Sequence, residues 1–127
     1  MSAIIEQIHG KFKVFAGELH GNSIDQLAAE VESFVTREKI APKSIGVEFL
    51  ESSRRVILTL GYRDDESGYA VSLSSVDLGK LQDLEPATLT RLEGKMAEAA
   101  AHLTNVICHE LLVTDEQDFV MVFLRKT

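Results

Sequence analysis

The stretch Ser44–Arg63 has the form of a β-hairpin, and the chain repeats that form downstream. Ile45–Ser52 leads through a polar turn into Val56–Leu60. Ile107–Thr114 leads through the acidic turn Asp115–Asp118 into Phe119–Phe123. Side by side, Ile45 meets Ile107, Glu48 meets Glu110, Leu50 meets Leu112 and Ser52 meets Thr114. Each copy follows a helical pattern, and each helical pattern follows a strand pattern. A repeat of periods and turns constrains a fold more than any single motif, because each copy must bury its own apolar face.

The first strand pattern is Lys11–Leu19, where Phe12, Val14 and Ala16 alternate with Lys13, Phe15 and Gly17. Gly21-Asn22 interrupts it. Ile24, Leu27, Ala28, Val31, Phe34 and Val35 then carry the spacing of an amphipathic helix. Ser23 and Gln26 have the form of a capping box. Ala41-Pro42 is expected to end the helix, since the residue before a proline is pushed out of the α region. After the hairpin, Asp64–Gly68 reads as a turn, Tyr69–Val76 alternates again, and Gly79 closes that strand. Pro86 suits a first helical position, with Leu84 and Leu89 placed as a hydrophobic staple. Leu89, Leu92, Met96, Ala99, Leu103 and Val106 form the bulky stripe of this second helix. Gly94, Ala97, Ala101 and Thr104 form a small-residue stripe beside it, expected to pack closely on the sheet or the first helix. Ile107, Val113 and Thr114 are β-branched, so Ile107–Thr114 is assigned to a strand and not to a continuation of the helix.

The predicted fold is therefore α+β: a duplicated β-α-β-β module, with two helices packed on one face of a mainly antiparallel sheet. One domain spans residues 1–127, with pseudo-repeats at about 11–63 and 69–126. Its 127 residues suffice for a core of its own. Val47, Phe49, Val56, Leu58, Leu60, Val71 and Leu73 are expected beneath the helices. Period-two counting assigns Gly46, Glu48, Leu50, Thr59, Gly61, Ser72, Ser74, Cys108, Glu110 and Leu112 to the open face. Phe15, Ile57, Val120 and Val122 are assigned there too. Phe119–Leu124 is six consecutive apolar residues, which requires a cover on both sides of that strand. One helix layer supplies only one. A curled sheet, a second subunit or a ligand must supply the other.

A net charge of −7 argues against a partner held through its phosphates, so no nucleic-acid partner is expected. Met1–Gly10 has neither the basic start nor the apolar run of a signal peptide. No stretch approaches the ~20 apolar residues needed to span a bilayer. The single cysteine, Cys108, allows neither an internal disulfide nor a multi-cysteine metal site. The expectation is a cytoplasmic protein with no membrane partner.

Duplicated strand-helix-strand-strand modules with an open face resemble the gyrase-inhibitor-like, effector-binding domains of some multidrug-responsive regulators. The resemblance is one of topology and covers roughly Lys11–Lys126. It implies two modules meeting about a pseudo-dyad, a small molecule in the groove between them, and a glutamate that pairs with cationic ligands. That role would fall here to Glu48 and Glu110.

Read from the residues alone, Glu48 and Glu110 are strand carboxylates among small polar neighbours. They suit cation binding or, with a raised pKa, a general base; the competing reading is a pair of solvated side chains. Candidate ligand-binding residues are Glu48, Glu110, Thr59, Ser72 and Phe15. Cys108 and His109 point to opposite sides of a strand and cannot converge on a metal, even with His102 nearby. The acidic turns lack calcium-loop spacing, and no phosphate loop or dinucleotide fingerprint is present. No metal and no cofactor is assigned. The sequence leaves three readings. The first is a non-catalytic module that binds a small, cationic molecule on the open face of the sheet. The second is a homodimeric structural or interaction protein with that face as the subunit interface. The third is a small enzyme with a Glu base.

Overall fold

The computed structural model describes residues 10–20, 23–64 and 69–127. The predicted break at Gly21-Asn22, residues 65–68 of the turn read at Asp64–Gly68, and residues 1–9 of the segment read at Met1–Gly10 lie outside the described residues. The elements run β1 (Lys11–Glu18), α1 (Asp25–Glu38), β2 (Ala41–Leu50), β3 (Arg55–Arg63), β4 (Val71–Lys80), α2 (Pro86–Ala101), β5 (Val106–Val113) and β6 (Asp118–Lys126). The class is α+β, and the order β-α-β-β occurs twice, as expected.

The strands form two three-stranded antiparallel sheets in place of one, in the orders β1-β3-β2 and β4-β6-β5. In each module the last strand is central, paired on both sides. The edge strands β2 and β5 run close together without forming a ladder, and α1 packs against the outer strands β1 and β4. The six strands thus fold around one core, with α1 closing the side opposite the β2–β5 seam.

α1 forms as its periodicity dictates: Ile24, Leu27, Ala28, Val31, Phe34 and Val35 are all buried. Its start has no capping box. Ser23 Oγ accepts the Asp25 N–H at 3.2 Å, and Ile24 holds the cap position without a side-chain bond. Its end is not set by Pro42. Lys39 takes a left-handed conformation (φ 51°) and terminates the helix, and Pro42 lies inside β2 beside a bulge. A missing N–H is tolerable there, because β2 is an edge strand and the bulge interrupts its ladder. α2 begins at Pro86, but neither Leu84 nor Leu89 is buried, so there is no closed staple. Asp83 organises that start instead, accepting the Glu85 N–H at 3.0 Å and the Thr88 hydroxyl.

The modules share local devices. A left-handed residue precedes β3 and β6 alike, Arg54 (φ 52°) and Gln117 (φ 63°). Lys39 and Asn105 (φ 57°) turn each helix toward its hairpin. A bulge interrupts the first hairpin strand in both, at Lys43 between Pro42 and Ser44 and at Ile107 between Val106 and Cys108. Counted from those bulges, Glu110 corresponds to Gly46, not to Glu48. The match read from the letters is off by one pleat, because hairpin geometry and not residue identity fixes register.

The cover on β6 is intramolecular. Val120, Val122 and Leu124 join Val71, Leu73 and Leu112 in the main core, packed with the α1 stripe and with Val47, Val56, Leu58 and Leu60 of the first sheet. Met121 and Phe123, on the alternate face, pack with Leu78, Leu81 and Leu92, and Met96 and Ala99 of α2 lie against them. The two helices therefore lie on opposite sides of the second sheet and do not share one face. Leu112, Val120 and Val122, assigned to the open face, are core residues. So is Phe15, which pairs with Leu58 and meets Phe34 edge-on at 5.7 Å between ring centroids. The first module's helix-covered side is itself the lid on the second module's open side. Glu32 of α1 reinforces this contact by accepting the Leu73 N–H of β4 at 2.9 Å.

α2 is more lightly seated. Leu92 and Thr88 are its only buried residues, and the small-residue positions Gly94, Ala97, Ala101 and Thr104 face solvent. An added Cβ at Gly94 would meet nothing within 4 Å.

Candidate functional site

Among the described residues, no element covers the outer face of the first sheet. Register places Phe12, Gly61 and Ser44 in one row across it, Val14, Thr59 and Gly46 in the next, and Ala16, Ile57 and Glu48 in the third. This part of the expected open face holds. Phe12 is 67% exposed and Val14 59%, high values for large apolar side chains on a sheet. Gly61 is a glycine for a local reason. A Cβ there would lie 2.4 Å from Ser44 Oγ and 3.5 Å from the Phe12 ring, so the bare backbone lets both neighbours settle over it.

Along the seam, Cys108 of β5 takes a backbone hydrogen bond from Ile45 of β2. Burial pushes its thiol up from the ordinary value. The Ile45 bond opposes that shift and the charge of Glu110 adds to it. Beside this contact is a cavity of about 330 Å³ lined by Gly46, Val47, Glu48, Ile57, Thr59 and Glu110. Glu48 is exposed and stands on the outer face, opposite Ile57. Glu110 is half-buried and comes from the core side of the second sheet, opposite Val122. The two carboxylates line one cavity although they do not hold corresponding positions in the two β-α-β-β segments. Gly46, the position corresponding to Glu110, has no side chain, and the cavity opens where one would otherwise stand.

Of the five residues assigned from sequence, Glu48, Glu110 and Thr59 line this one cavity. Phe15 and Ser72 do not. Phe15 is in the core, and Ser72 pairs with Arg125 on the side of the second sheet that carries α2. What sequence reading missed is the seam itself, since period-two counting gives the face of a side chain but not which edges meet.

Alternation separates Cys108 from His109 as expected: Cys108 pairs with Leu124, whereas His109 pairs with Phe123 on the other face. Among the described residues no group of three or more His, Cys, Asp or Glu could hold a metal ion. No helix among them is long and apolar enough to cross a membrane. The turn ends of the two hairpins are tied by Arg54, whose guanidinium lies 3.2 Å from Asp115 and 5.5 Å from the centre of the Phe49 ring. Comparison with protein-family models, with curated proteins and with solved structures finds no match.

Proposed function

We propose that this chain is a non-catalytic binding module that takes a small cation, with an apolar portion, at the β2–β5 seam. The observation that carries this reading is the convergence of Glu48 and Glu110 on one cavity. Two carboxylates facing one space repel each other, and a cation between them relieves that repulsion. A unit charge about 4 Å from one carboxylate gains on the order of 1 kcal/mol in water and about 4 kcal/mol at an effective dielectric of 20. A partly open cavity falls between these limits. Val47 and Ile57 supply apolar wall, and Thr59 supplies a hydroxyl. The exposed strip of Val14 and Phe12 continues the apolar surface across the sheet.

The test uses benzyltrimethylammonium and its neutral carbon analogue, neopentylbenzene, in thermal-shift and calorimetric titrations. The cation should bind and the neutral analogue should not. Glu48→Gln and Glu110→Gln should each weaken the cation severalfold without lowering Tm. Equal behaviour of the two compounds, or indifference to both substitutions, overturns the reading.

One observation favours a second reading, in which the outer face of the first sheet is a homodimer interface: the exposure of Phe12 and Val14. Contiguous apolar surface of this kind marks contact sites. Light-scattering mass distinguishes the two. A ligand-indifferent dimer that Val14→Lys converts to a monomer supports the second reading, and a monomer at all concentrations eliminates it.

A further inference from the structure

α2 is seated on the second sheet by Leu92, Met96 and Ala99, and the space beside its C-terminal half is not filled. A groove of about 470 Å³ lies there, between α2 and the bulged end of β4. It shares no lining residue with the Glu48–Glu110 cavity. Its apolar wall is Val76 and Leu78. Its polar groups are Asp77, Lys95, Glu98 and His102, so both a cationic and an anionic side chain line it. Lys95 and Glu98 come from positions i and i+3 of α2 and stand on one side of it, and His102 is the residue that caps its C-terminus.

The groove is built at both ends. β4 bulges between Asp77 and Gly79, and Gly79 adopts φ +87°, a conformation open to glycine. Asp77 Oδ1 accepts the Gly79 N–H at 2.8 Å and fixes that turn. Lys95 Nζ donates at 3.0 Å to the carbonyl of Leu78, the bulge residue with no register partner in β6. An ammonium has three donors, so this bond anchors Lys95 at the groove and leaves two for a ligand. A Cβ at Gly79 would stand 3.5 Å from Lys95 Nζ, so the glycine keeps the approach to that ammonium clear. Glu98 stands one turn further along α2, near the helix C-terminus, where the partial negative charge of the backbone carbonyls favours a cation.

We propose that this groove binds a small zwitterion of the amino-acid class. Its carboxylate is held by Lys95, its ammonium lies toward Glu98 and the C-terminal end of α2, and its side chain rests on Val76 and Leu78. A volume of this size lies within the range of small-molecule sites and exceeds what a single inorganic ion requires. The presence of both signs along one groove selects a ligand that also carries both.

The experiment is an amide-resolved NMR titration of the whole chain with leucine, N-acetylleucine and leucinamide. Leucine should move the Gly79, Lys95 and Ala99 resonances saturably. N-acetylleucine lacks the ammonium and leucinamide lacks the carboxylate, so each should bind at least tenfold more weakly. Glu98→Gln, on an exposed helical face that tolerates the change, should weaken leucine about tenfold. Lys95→Met should do the same, and its amide spectrum outside the groove reports whether the bulge survives. Glu48→Gln should leave leucine binding unchanged, which separates this site from the seam. Equal binding of the three compounds, shifts spread over the molecule, or full affinity in Glu98→Gln overturns the proposal.

Discussion

Val120 sits where the fold makes its least obvious commitment, so its replacement is the most informative perturbation. The side chain is fully buried in the core shared by the two modules, opposite Leu112 on the neighbouring strand. Val120→Ala removes two methyl groups. At about 0.8 kcal/mol per buried carbon, the transfer loss is about 1.6 kcal/mol. A residual void of roughly 50 Å³ at about 24 cal/mol per Å³ adds about 1.2 kcal/mol, for a total near 3 kcal/mol. Unfolding entropy of about 2.1 cal/mol/K per residue converts this to a Tm decrease of about 11 °C for a chain of this length. Val120→Thr keeps the shape and adds a hydroxyl. In a dry core it should cost about 1–3 kcal/mol, whereas on a wetted sheet face it should cost almost nothing. Urea unfolding followed by far-UV circular dichroism measures both. Each variant should give a single transition with an unchanged m-value, since one core serves both modules. If both substitutions cost under 0.5 kcal/mol, Val120 is not enclosed and the packing of the first module over the second is wrong.

Gly61→Ala should lower stability by about 1 kcal/mol, because the new methyl forces Ser44 to another rotamer under the Phe12 ring; Gly61→Ala in a Ser44→Ala background should recover part of the loss in the same urea assay. Asp83 at the start of α2 has its carboxyl held below the ordinary range, chiefly by the Thr88 hydroxyl and then by the Glu85 N–H. A lowered folded pKa means stability that is present above the unfolded value and lost as pH falls through the folded one. Wild type should therefore lose more stability than Asp83→Asn in an acid titration, and parallel curves would refute the cap. Cys108 should alkylate slowly at neutral pH, and its rate should still be rising above pH 9, since burial holds the thiol protonated; a rate that reaches its plateau near pH 8 would refute that. By the same sign rule, its contribution to stability is present below the unfolded thiol pKa and declines as pH rises through the folded one.

Much of the fold was legible because its signals are local. The α1 stripe states its own buried face, and the β-branched Ile107 and Val113 place β5 against the competing helical periodicity. Phe119–Leu124 correctly demanded two covers. Neither the identity of the second cover nor the division into two sheets could be read there, because periodicity reports burial and not the element that causes it. Phe15 failed for a related reason. β1 carries large apolar residues on both sides, and only Phe34, nineteen positions away in the chain, decides which side is inward. At the seam, the letters placed Glu48 and Glu110 together by matching them, whereas the fold brings them together from positions that do not match. Thr59 followed from strand register, which the hairpin itself fixes.

The central position of β6 bears on how the chain is made. It follows the other seven elements in sequence, yet β4 and β5 have no ladder until it arrives. While translation proceeds, the greasy side of α1 and the inner surface of the first hairpin must wait, half-dressed, for a ribosome to release the segment that completes them. In a polypeptide with this layout the shared interior closes only when β6 docks between β4 and β5.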